Sequence, residues 1–248
     1  KQSLSRKIFM VFDYVFLGLL SLSCLLPLIN LFAISFSARS MVDANAVSFW
    51  PKGFNTAAYE YILSNKQYFQ SFGITIGRVV LGWAINLALT VLVAYPLSKD
   101  DPRMFRCRKY YTWFFLVTMV FNGGLIPTYL VVSKMQMINS FWALILPEAV
   151  PMFCVLITMN FFRGLPKAIE EAALVDGAGW FVTMFKIYLP LSKPSLATVS
   201  LFVIVNHWNA WFDGLIYMNL PEKYPLMTYL YEGRQQLCHA SLINTSMG

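Results

Sequence analysis

Charge is scarce in this sequence. Of 248 residues, 12% are Asp, Glu, Lys or Arg, against about a quarter in an ordinary soluble domain. Histidine is scarcer still, with only His207 and His239. Two isolated imidazoles, no H-E-x-x-H pair and no G-x-S-x-G turn leave the common hydrolase constellations without support. No G-x-x-x-x-G-K-[S/T] phosphate loop occurs, so the chain is not expected to hydrolyse ATP. The four cysteines, Cys24, Cys107, Cys154 and Cys238, lack the spacing of a metal site or a disulfide framework. No catalytic residue, metal or cofactor is therefore assigned to the chain itself. Sustained alternation of polar and apolar residues is missing too, which argues against a membrane β-barrel.

What the chain has instead is long apolar runs, and 58% of its residues are hydrophobic. The runs cover 14–38, 79–98, 110–133, 135–162 (interrupted only by Glu148) and 194–212. Each is long enough for a helix of about 20 residues to cross a hydrocarbon core of about 30 Å. The fold class expected is an all-α integral membrane protein, a polytopic helical bundle forming a single domain over 1–248. Its spans fall at about 14–38, 72–98, 110–133, 139–162 and 194–218, with connecting loops at 39–71 and 163–193. Twelve Lys and Arg residues lie on the side that holds the N-terminus and the 163–193 loop, against six on the other. The positive-inside rule then places the N-terminus and that loop in the cytoplasm. The net charge of +7 follows from this placement and calls for no nucleic acid.

The 163–193 loop contains the most informative stretch, EAALVDGAGWFVTMFKIYLP at 171–190. Pro166 favours the first turn of a short helix, and Glu170 and Glu171 sit toward the positive end of its dipole. Ala172 and Ala173 leave a nearly bare surface on which another protein could close. Gly177, just after Asp176, permits a sharp bend without a Cβ penalty.

Three other segments stand out. The 39–71 loop carries Trp50-Pro51 and then Tyr59, either interface aromatics or a docking surface for an external partner. Asn122-Gly123-Gly124 with Pro127 predicts a broken or closely packed helix, tolerable where it is buried or lines a cavity, and Pro147-Glu148-Ala149-Val150-Pro151 sets a carboxylate between two prolines in mid-run. Glu148 is costly facing lipid, so it is expected inside the bundle or in a wet cavity, capping freed backbone groups or meeting substrate. Arg78, near a span end, reads as a charge that snorkels to the interface. The densest polar and aromatic cluster is Asn206-His207-Trp208-Asn209 with Trp211. Amides and imidazole hydrogen-bond sugars, and indole rings stack on their apolar faces. The same residues also suit an aromatic belt and helix–helix hydrogen bonds. On one continuous helix, Asn206 and Asn209 share a face, as do His207 and Trp211.

Glu171-Ala172-Ala173, Gly177, Ile187 and Leu189-Pro190 match the EAA loop of ABC importer permeases at every defining position. The Trp-Pro element, 122–129 and 206–213 further resemble maltose-type carbohydrate permeases, in particular a subgroup importing complex oligosaccharides, some uronate-rich. The resemblance implies the type I permease fold of bacterial ABC importers, seated in the cytoplasmic (inner) membrane. It implies a second homologous permease, two ATP-binding subunits that hold ATP and Mg, and an extracytoplasmic solute-binding protein. It makes Glu170–Pro190 the element that couples to the ATPase, with the oligosaccharide passing near Asn122, Glu148 and the 206–211 cluster. Family members have six spans, so with five visible here the chain is expected to lack the last one. A peptide or amino-acid permease is the alternative within the class. An ion-coupled secondary transporter, with Glu148 and His207 as a relay, is the alternative outside it.

Overall fold

The computed structural model describes residues 4–99, 107–121 and 123–246, leaving aside the side chains of residues 4, 5, 8 and 237–246. Among the described residues the architecture is helical, with one isolated antiparallel bridge between Ser37 and Phe54. Two compact units are distinguished, residues 1–66 and 67–248.

The first unit contains α1 (Leu4–Ser35), α2 (Arg39–Asp43) and α3 (Ala57–Ser64). Within α1, Phe9–Ser35 is apolar enough to cross a membrane, and 27 residues at about 1.5 Å each reach about 40 Å. Its apolar side chains, Phe12, Leu19, Leu31 and Phe32 among them, stand exposed around the helix. That pattern suits a lipid-facing surface rather than one in water. Beyond α1 the chain folds back on the helix end. Ala38 N donates to Lys52 O (3.1 Å), Asn55 N to Phe36 O (2.9 Å), and Gly53 turns the chain at φ +65°. Phe36 stacks between Phe54 and Tyr59, whose ring centroids are 5.6 and 5.0 Å away.

The second unit opens with α4 (Lys66–Ser98), a 33-residue helix that starts earlier than its apolar core implies and shortens the preceding loop. Then come α5 (Arg108–Val120) and α6 (Leu125–Lys134), separated at the glycine pair as the sequence predicts. Gly124 sits at φ +85°. Two 3-10 turns (Phe141–Leu144, Leu146–Glu148) lead to α7 (Met152–Arg163) at a bend of 47°. Pro147 and Pro151 explain that break, since neither donates a backbone hydrogen bond.

The 163–193 segment forms α8 (Lys167–Val175), α9 (Trp180–Thr183), a π-helical turn (Met184–Tyr188) and α10 (Leu189–Leu191). The π turn ends where Pro190 has no N–H to offer Lys186, so the regular ladder cannot continue there. α11 (Lys193–Asn209) departs at 80° from the preceding stretch. Rather than running on to residue 218, the fifth apolar run breaks after α11, and α12 (Phe212–Tyr217) follows. A 3-10 turn (Pro221–Lys223) leads to α13 (Leu226–Ser246).

The main core joins Val91, Ala94 and Tyr95 of α4 to Val155, Met159 and Phe162 of α7, together with Tyr188. Ile187 and Leu189 pack half-buried against it. Two smaller clusters lie around Val132, Leu144 and Tyr217, and around Cys154, Val199 and Val203.

Candidate functional site

The 163–193 segment presents one candidate surface. Pro166 stands at the N-cap of α8 with an extended ψ of 127°, and the helix closes on a Schellman turn. Gly177 N donates to Leu174 O (3.1 Å) and Ala178 N to Ala173 O (2.9 Å), with Gly177 at φ +73°. That conformation costs a β-carbon-bearing residue about 1–2 kcal/mol. Ala173 is buried, anchoring the helix, while Glu171, Ala172 and Asp176 are exposed. Beside them Val175 and Phe181 are 87% and 71% exposed, with Leu174 and Phe185 close to half. Pro190 is exposed as well. Several large apolar side chains exposed on one short segment suit an interaction site.

Behind that face, Glu170 turns inward. Its Oε2 lies 2.7 Å from Lys99 Nζ and accepts the Tyr188 hydroxyl at 3.0 Å. Burial pulls the Lys99 ammonium below its ordinary range, and the Glu170 hydrogen bond and charge push it back up. A cavity of about 310 Å³ lies alongside, lined by Ser98, Lys99, Glu170, Glu171 and Trp180.

The second candidate site lies among the broken spans. Asn206 Nδ2 donates to Glu148 Oε2 at 3.0 Å, and both residues are exposed in the isolated chain. Glu148 thus bonds to α11 instead of capping the proline-freed backbone. It also lines a cavity of about 410 Å³ with Gly124, Thr128, Asp213 and Tyr217. Asn209 is exposed, its amide donating to Val205 O at 2.9 Å.

The other residues of the cluster point elsewhere. His207 is 1% exposed and packs on α4, where a β-carbon at Gly82 would stand 2.5–2.8 Å from its ring. The neighbouring Asn86 amide fits with its nitrogen donating to Gly82 O (3.1 Å) and Ala149 O (3.2 Å), its oxygen accepting from His207 Nε2 (3.3 Å). Trp208 meets Phe72 edge-on at 6.2 Å, and Trp211 stacks on Tyr231 at 4.1 Å. Because α11 ends at Asn209, His207 and Trp211 do not share a helix face. Asn122 lies outside the described residues. In the first unit, Trp50 is 82% exposed, Pro51 is exposed, and the Tyr59 hydroxyl meets Ser35 Oγ at 2.9 Å.

Two polar residues that sequence reasoning set aside hold this region together. Arg78 does not snorkel; it is 1% exposed and ion-paired to Asp213. It also donates to Ala210 O at 3.3 Å, while Thr228 Oγ1 donates to Trp211 O at 2.7 Å. The Arg78 bond satisfies a carbonyl left open at the break between α11 and α12, as a buried break requires, while Trp211 O also accepts Leu215 N at 3.2 Å.

Helices of spanning length, broken spans and a short amphipathic helix between the fourth and fifth of them define a polytopic helical membrane protein. Residues 102–221 match the family described as "Binding-protein-dependent transport system inner membrane component". The polygalacturonan/rhamnogalacturonan transport system permease protein YtcP of Bacillus subtilis (strain 168) is 37% identical over 232 residues, covering 92% of this chain and 78% of the relative. Protein LplC of the same organism is 38% identical, covering 90% and 75%. Among solved structures, a bacterial ABC transporter involved in the import of the acidic polysaccharide alginate superposes with a TM-score of 0.85 at 31% identity, covering 94% of this chain and 82% of that one. The chain belongs to this family of binding-protein-dependent transport system inner membrane components. It is a non-catalytic permease subunit, a membrane protein that works with an ATPase and a solute-binding protein.

Proposed function

We propose that the chain is one of two homologous permease subunits in an oligosaccharide importer of the bacterial cytoplasmic membrane. Two ATP-binding subunits sit beneath it and an extracytoplasmic binding protein delivers the sugar. The N-terminus and the 163–193 segment face the cytoplasm. The observation that carries this reading is the α8 surface, where Glu171, Ala172, Asp176 and Val175 are exposed and Ala173 is a buried anchor. ATP binding closes the ATPase dimer, α8 moves with it, and the broken spans change access as a rigid-body switch. Trp50, Pro51 and Tyr59 form the docking surface for the binding protein. Glu148, Asn206 and Asn209 line the pathway, while His207, Trp208 and Trp211 pack against neighbouring helices.

The relatives that carry polygalacturonan and alginate support a carbohydrate cargo that includes uronate chains. The test is co-purification in mild detergent, followed by ATPase assays with the binding protein loaded from a panel of neutral and uronate oligosaccharides. Recovery with a second permease and an ATPase, with turnover raised by a loaded binding protein, is the expected result. A lone, ATP-indifferent chain, or stimulation by peptides alone, would overturn it.

A further inference from the structure

The contact between α8 and the end of α4 is built unlike a surface ion pair. Lys99, the first residue after α4, is 6% exposed, although a lysine beside a helix end can ordinarily extend into water. Its ammonium stands 2.7 Å from Glu170 Oε2, 3.6 Å from the centroid of the Tyr188 ring and 4.8 Å from that of Tyr95. Tyr188 binds the same carboxylate oxygen through its hydroxyl. Beneath the ammonium, Tyr95, Phe162 and Tyr188 meet edge to face, with centroids 5.2–6.2 Å apart. One residue comes from α4, one from α7 and one from the π turn. Among the described residues, Glu170 is the one member of α8 whose side chain makes a polar bond outside that helix.

We infer that Lys99 is a positioning residue for coupling, a strut through which displacement of α8 is carried to α4. The inference rests on the proposed coupling role of α8 and adds the route by which that motion leaves it. The physical ground is stiffness. A buried cation held by a carboxylate and two ring faces resists sliding, because separating them strands a charge away from water. Elsewhere in α8 Ala173 is buried and Ile169 half-buried, and both anchor the helix by apolar contact alone, which resists sliding less than a held charge does. A push on the exposed face of α8 therefore reaches α4 and α7 through Glu170 and Lys99.

The experiment uses the whole complex of permeases, ATPase and binding protein, reconstituted in proteoliposomes. Its readout is oligosaccharide transported per ATP hydrolysed. Lys99→Met combined with Glu170→Gln removes both charges at similar volume and leaves no buried ion unpaired. The expected result is an assembled complex whose transport per ATP falls roughly tenfold, the scale of one charge-assisted hydrogen bond. Lys99→Arg, which keeps the ion pair, should restore most of it. A double variant with the parental ratio overturns the inference, because a merely structural pair changes the yield of complex and not the ratio. If the double variant does not assemble, Glu170→Gln alone, which keeps an oxygen for both donors, is read the same way. Gly177→Val separates the two layers. If it uncouples while the Lys99 variants do not, the strut fails alone; if it too keeps the parental ratio, the coupling role of α8 fails with it.

Discussion

Arg78, in the first half of α4, and Asp213, at the start of α12, form an ion pair that spans 135 positions of sequence, the arginine buried and the carboxylate half-buried. Arg78 Nη1 reaches Asp213 Oδ1 at 3.2 Å and Ala210 O at 3.3 Å, so one guanidinium neutralises a carboxylate and completes an interrupted helix. Asp213 in turn accepts from Gly214 N at 2.8 Å. The pair holds α11 and α12 at their break, beside the cavity that Glu148 lines.

Breaking one side of that pair should therefore be severe. Arg78→Met leaves the half-buried Asp213 carboxylate without its cation and is expected to cost about 1–3 kcal/mol. The double variant Arg78→Met with Asp213→Asn should recover most of that loss. Thermal denaturation of the purified complex measures both, and equal losses in single and double variants would contradict the assignment.

Gly82 should not tolerate a side chain. The nearest ring atoms of His207 stand 2.5–2.8 Å from where a β-carbon would be built, and His207 is packed on every side. Gly82→Ala is expected to destabilise the permease by about 1–3 kcal/mol through overpacking. Combination with His207→Ala should relieve the clash, lifting the melting temperature above that of Gly82→Ala alone. No recovery would mean that the imidazole is not what the glycine accommodates.

The Glu148–Asn206 pair tests the pathway. Glu148→Gln keeps an oxygen to accept the Asn206 amide but removes the charge. A unit charge about 4 Å from a passing carboxylate costs about 1 kcal/mol in watery surroundings. The variant is thus expected to lower KM for a uronate oligosaccharide about fivefold while leaving a neutral one of equal length unchanged. Parallel changes for both sugars would remove Glu148 from the pathway.

Much of this arrangement was legible in the chain, for a physical reason: the informative signals were local. Gly177 sits at φ +73°, as the turn between Asp176 and Trp180 demanded, and Pro166, Pro147 and Pro151 mark boundaries because each lacks a donor. The missed features depend on partners far away in sequence. Lys99 counted as one more cytoplasmic cation, yet Glu170, 71 positions on by number, buries it. Arg78 read as a snorkelling charge because nothing near it in sequence announced Asp213. His207 read as either a sugar ligand or a packing group, because residue type alone does not reveal that Gly82 leaves room for its ring. The break after Asn209 contains no proline, and the donor that satisfies Ala210 O there is Arg78, 132 positions away in sequence. A weak hint was available in Asp213-Gly214, since an acidic residue before glycine often opens a turn.

Gly177 also supplies the most exposed test of the coupling surface. No neighbouring atom lies within 4 Å of a β-carbon built there, so a substitution there acts through backbone strain and not through a clash. Gly177→Val is expected to insert and assemble while transport falls and ATP hydrolysis persists. Loss of the protein from the membrane would point instead to a folding role.

The central claim is that this chain converts ATP-driven motion at α8 into passage of an oligosaccharide. Its most direct test is uptake by proteoliposomes that hold the reconstituted complex, with labelled uronate and neutral oligosaccharides, the loaded binding protein outside and ATP inside. The account predicts uptake that requires ATP hydrolysis and binding protein together and that Gly177→Val abolishes without stopping ATP turnover. Uptake driven by an ion gradient without ATP, or undiminished in Gly177→Val, would contradict it.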